Sequence, residues 1–103
     1  AEVTYNPTDP ADGFHAPPLH EGIASALESA SLHLTGKPPM STWIGGTIPF
    51  MAMIQNKYPN ACFLCTGSSG PGNNAHGPDE KLHIPHSKRV NVALAAAIAA
   101  LCE

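Results

Sequence analysis

Basic residues are scarce. Lys and Arg number five in 103 residues against eight Asp and Glu, a formal net charge of -3. No basic stripe exists to neutralise phosphates, which excludes an electrostatic nucleic-acid surface. Long apolar runs are also missing: a membrane span needs roughly 18 such residues, and the best stretch, Val90 to Leu101, is mostly alanine. Cysteine is sparse, and its count of three is odd, with no framework of spacings. This fits a reducing, cytoplasmic compartment better than a secreted disulfide scaffold. A charged-then-apolar leader is absent too. The chain opens at Ala1 rather than Met, and residues 1–5 alternate as a strand does, so the expectation is a chain that begins mid-protein.

Proline and glycine, by contrast, are plentiful, at eleven and nine residues. They punctuate periodic segments and form no repeat, which points to ordered loops rather than disorder. Hydrophobic residues make up 43% of the chain, enough for one small domain that buries roughly two-thirds of its unfolded surface.

The pattern along the chain predicts alternating elements. Glu2 to Asn6 reads as a short strand, with Val3 and Tyr5 on one face, ended by Pro7 and Pro10. Pro17-Pro18 suits a first helical turn, and Leu19, Ile23, Leu27, Ala30 and Leu34 then recur at helical spacing up to Gly36. Met40 to Ile44 is a possible strand broken by Gly45-Gly46. Thr47 is a fair N-cap for a helix with Pro49 in its first turn, running to Tyr58 and stopped by Pro59. Ala61 to Thr66 reads as a buried strand, closed by Gly67. A last helix begins near Pro85, with Ile84 pushed toward extended geometry, and carries Val90, Leu94, Ile98 and Leu101. The expected class is α/β, helices packed on a small sheet.

Several side chains are candidates for chemistry. Cys62 and Cys65 have redox-motif spacing, but on a strand residues three apart diverge, and no second pair completes a four-cysteine zinc site. Gly45-Gly46-Thr47 precedes a helix whose free N–H groups suit an anion such as a substrate carboxylate, although taken alone a plain connecting turn is the blander explanation. Residues 67–80 run fourteen positions without a large apolar side chain and contain one histidine, His76. Loops of that length are commonly functional, and imidazole is a common metal ligand, although a solvated side chain is the blander explanation. Asp79 and Glu80 lie near enough in sequence to orient its ring. His83 and His86 suggest a local three-histidine site with His76, against which Pro85 breaks their alignment. His33 suits a helix C-terminus, and His15 and His20 carry little signal.

Gly45-Gly46-Thr47-Ile48-Pro49-Phe50, the segment 61–67, and Asn74-Ala75-His76-Gly77-Pro78-Asp79-Glu80-Lys81-Leu82-His83-Ile84-Pro85 together resemble the C-terminal region of the M20 metallopeptidases, most closely the carnosinase-like dipeptidase branch. Two motifs in the right order, with Gly45 and His76 thirty-one positions apart, are more specific than either alone. The resemblance implies that residues 1–12 end a lid or dimerisation domain and that 13–103 form the last part of a catalytic domain. It further implies two zinc ions, a glutamate general base and several carboxylate ligands, of which only the last histidine, matching His76, falls in this chain. Gly46 and Thr47, with Gly45 shaping the turn, match the substrate-contacting turn; Glu80 matches an acidic residue placed behind the metal ligand. Trp43-Ile44 departs from relatives that carry charged residues there. The implied substrate is a short peptide or N-acyl amino acid. The implied partners are the upstream part of the same protein and further copies of it, with no nucleic acid and no membrane. The chain alone is expected to be inactive. The alternative is a non-catalytic module that acts by association through its apolar helix faces.

Overall fold

The computed structural model describes residues 1–5, 13–43 and 48–102. Three helices occur among them in chain order: α1 (Glu21–Thr35), α2 (Pro49–Lys57) and α3 (Ile84–Ala99).

Helix α1 follows the predicted apolar spacing but starts later, since Pro17 and Pro18 precede its N-cap, His20. The imidazole Nδ1 of His20 accepts from the Gly22 N–H at 3.3 Å, satisfying one of the donors a helix start leaves open. Glu21 in the first turn and His33 in the last both complement the helix dipole. At the other end Gly36 takes φ 71°, and its N–H donates to Leu32 O, the left-handed C-cap for which glycine is best suited. The Ser31 and Thr35 hydroxyls then donate to Lys37 O and Ser31 O, both at 2.8 Å, which ties off the exit.

In α2 the proline expected in the first turn is Pro49 at the first helical position, where its missing N–H costs nothing. The N-cap is Ile48, without a side-chain cap bond, and not the expected Thr47. The start of α3 also departs from expectation. Ile84 is helical rather than extended, because His83 caps the turn: its Nδ1 accepts from His86 N–H at 3.1 Å and its carbonyl accepts from the N–H groups of His86 and Ser87 at 3.0 Å. These bonds offset the crowding that Pro85 imposes on the residue before it.

The expected α/β class is overturned. No strand and no sheet occur among the described residues, where the regular structure is helical throughout. The three segments read as strands, 2–6, 40–44 and 61–67, are irregular wherever they are described. Alternation and apolarity mark a segment able to be a strand, but a strand exists only by pairing with another. Among the described residues, backbone hydrogen bonds outside the helices are turns, caps and loop closures, the widest being Lys81 N–H to Asn73 O. Among the described residues none of the three segments pairs with another.

Packing is concentrated between α1 and α3. Their buried hydrophobic residues are Ile23 and Ala97. The start of α1 meets the end of α3 closely enough that a Cβ on Gly22 would lie 3.9 Å from Ala100 O. Phe14 meets Phe63 edge-on at 5.0 Å, joining the lead-in of α1 to the segment after α2. Helix α2 contributes no buried residue.

The result is an open plate of 58 × 38 × 17 Å. Its Cα radius of gyration is 17.4 Å, where a closed domain of this length has about 13 Å. Its accessible surface is 8705 Å², where a folded monomer of this mass exposes about 5,500 Å². Large apolar side chains are among what stands open: Val3, Met40 and Trp43 are 91%, 93% and 88% exposed. Among the described residues no helix is long and apolar enough to cross a membrane.

Candidate functional site

The loop from Gly67 to His83 has no large apolar residue before Leu82, so hydrogen bonds must specify its shape. Asn73 is the hub. Its N–H donates to Gly70 O at 3.1 Å, its side-chain Nδ2 donates to Ser68 O at 2.9 Å, and its carbonyl accepts from Lys81 N–H at 2.8 Å. The turn at Pro71-Gly72 that makes the first of these possible needs φ 81° at Gly72. The Asn73–Lys81 bond closes the base of an apex comprising residues 74–80.

Within that apex Gly77 N–H donates to Asn74 O at 3.0 Å, closing a turn over Ala75 and His76. The Asn74 side-chain amide donates to Pro78 O. All the non-glycine residues with positive φ among the described residues lie here: Asn74 (53°), His76 (64°) and Asp79 (58°). His76 occupies the third position of its turn, where a positive φ favours glycine or asparagine. Placing histidine there costs about 1 kcal/mol. Strain of this kind persists only where neighbouring contacts enforce it, and it concentrates at functional positions. The His76 side chain is exposed.

The other expected site residues fall as follows. Glu80 is exposed and lines, with Ser68, Asn73, Ala75 and Lys81, an open concavity of about 450 Å³ beside the apex; His76 is not in its walls. Gly45, Gly46 and Thr47 lie outside the described residues. Of the histidines expected to make a local site with His76, His83 has its Nδ1 accepting from His86 N–H in the cap of α3, and its ring centroid lies 6.5 Å from that of His86. Among the described residues no group of three or more His, Cys, Asp or Glu is placed to hold a metal ion.

Cys62, Cys65 and Cys102 are all free and exposed. Since 61–67 is not a strand, alternation no longer separates the Cys62 and Cys65 side chains. The Cys102 thiol contacts Ile98 O at 3.8 Å. Sequence reasoning also missed the stacking of His15 on Trp43, at 6.2 Å and 24°, and the capping by His20 and His83. Position immediately before an apolar-periodic run was the available signal for the caps, but histidine is not among the residues that normally prompt it. No family model matches the chain, and no curated protein matches it in sequence.

Proposed function

We propose that this chain is the C-terminal part of an M20-type metallopeptidase that hydrolyses a short peptide or an N-acyl amino acid amide. In this reading His76 is one ligand of a two-zinc centre, Gly45, Gly46 and Thr47 orient the substrate's backbone and carboxylate, and Glu80 stands behind the ligand. The general base and the other ligands belong to the upstream part of the protein. Metal ions of this kind lower the pKa of bound water and polarise the scissile carbonyl.

The observation that carries the reading is His76 itself, an exposed imidazole strained into a left-handed turn on a loop closed by Asn73. Exposed apolar surface supports it further: Met40, Trp43 and, within α2, Phe50 stand open, and α2 has no fully buried residue, as expected of a piece whose covering protein is elsewhere. Three exposed free thiols agree with a reducing cytoplasm.

The test compares the 103 residues with the full-length product of the gene. The longer protein is expected to bind close to two zinc ions and cleave dipeptides or N-acyl amino acids, and the 103 residues alone to do neither. Stoichiometric zinc and turnover in the isolated chain would overturn the division of labour. The same open surface also favours a second reading, a non-catalytic module that self-associates. It predicts a stable oligomer of the 103 residues and no zinc in the full-length protein.

A further inference from the structure

We infer that Asn74 is a positioning residue, one that holds His76 in its left-handed conformation and so presents the imidazole to a divalent cation. The inference rests on the proposed role of His76 as a metal ligand and adds the means by which that ligand is aimed.

Three observations converge on Asn74. Its carbonyl accepts from Gly77 N–H at 3.0 Å and closes the turn that contains His76. Its side-chain amide donates across the turn to Pro78 O, so the same residue clamps both ends of His76-Gly77. Gly77 then leaves the space this clamp needs: a Cβ there would lie 2.7 Å from Asn74 Nδ2, 2.8 Å from Oδ1 and 2.9 Å from Cγ. Gly77 is not among the residues with positive φ, so the glycine serves room and not backbone freedom. With any larger residue the amide must swing away and lose Pro78 O. Asn74 also takes φ 53° itself, a conformation asparagine tolerates better than most residues. Without the side-chain clamp, the turn is held only by the backbone bonds Gly77 N–H to Asn74 O and Lys81 N–H to Asn73 O, and His76 relaxes more readily to negative φ. That relaxation would redirect its Cα–Cβ bond and take the imidazole off its line. A misaimed ligand binds metal more weakly, as loss of an orienting partner commonly does by 10-fold or more.

The test uses the full-length gene product with Asn74→Asp and Gly77→Ala, both of which keep His76. Asn74→Asp preserves shape but replaces the donating amide by an oxygen facing Pro78 O. Gly77→Ala leaves Asn74 in place and removes its room. NMR reads the conformation of His76 through its 13Cα shift and HN–Hα coupling, without metal. Zinc titration and the Co²⁺ ligand-field spectrum read the aim, and amide exchange in α1 and α3 reports folding. Both variants are expected to lose the left-handed signature of His76, to weaken zinc about tenfold and to shift the Co²⁺ bands, with helix exchange unchanged. If the left-handed signature survives in both variants, Asn74 is not the clamp. If the signature is lost but zinc affinity and the Co²⁺ spectrum are not, Asn74 shapes the loop only, and the positioning role is overturned. A His76→Ala protein that binds zinc as wild type does would instead overturn the metal-ligand reading, whatever NMR shows for Asn74.

Discussion

The α1–α3 pair and the loop between Gly67 and His83 are both defined parts of the same chain, yet opposite forces define them. The helices meet through apolar surface, with Ile23 and Ala97 out of solvent. The loop offers no such surface over residues 67–80 and is organised by polar bonds, most of them made by Asn73 and Asn74. Burial is forgiving of detail, since any apolar group of the right size contributes. Hydrogen bonding across a turn is not, because one donor replaced by an acceptor removes the bond. The part of the chain on which the proposed chemistry depends is thus the part whose shape rests on individual hydrogen bonds.

This contrast can be broken in order of expected effect. The largest change should follow His76→Ala in the full-length protein: a loss of at least a hundredfold in kcat/KM and of close to one zinc equivalent, measured by peptide hydrolysis and metal analysis, with α1 and α3 intact. Activity near wild type would remove His76 from the site. Next, Ile23→Ala should weaken the α1–α3 contact by about 2 to 3 kcal/mol, the usual cost of truncating a buried isoleucine. Native-state hydrogen exchange should show this as faster exchange in both helices while the amides of Gly77 and Lys81 stay protected. Asn73→Ala should do the converse at about 1 kcal/mol, the net value of a typical hydrogen bond: Lys81 and Gly77 exchange faster and the helices do not. Equal acceleration of both regions by either variant would mean that the two are one cooperative unit. The most local effect is expected for Gly36→Ala, also at about 1 kcal/mol, because alanine is strained at φ 71°. It should appear only as fraying of the last turn of α1.

The helices were largely legible because their signals are local. Ile23, Leu27, Ala30 and Leu34 share a face through the 3.6-residue period, Gly36 ends α1, and Pro49 starts α2. The misassignments occurred where a second segment had to agree. Residues 61–67 carry the apolarity of a buried strand, but pairing depends on a partner that no local pattern contains. His20 and His83 went unread as caps because an imidazole caps only when its ring turns Nδ1 back over the first turn, an orientation that residue type alone does not specify. Its setting marks His76, one histidine in a long apolar-poor loop. The left-handed run Asn74, His76, Asp79 was not foreseen, because a positive φ is ordinarily signalled by glycine.

What the sequence alone determined here is whatever follows from neighbours a few positions apart: three helices close to their observed bounds, an ordered loop without apolar anchors, no basic surface, and the one histidine in that loop. Tertiary structure decided the rest. It set α1 against α3, left Trp43 exposed, left 61–67 without a strand partner, and put His76 at φ 64° in the turn that the Asn74 carbonyl closes. The division has a physical cause: helical hydrogen bonds close within four residues, whereas strand pairing, face-to-face burial and loop clamping require parts of the chain that the local pattern does not bring together.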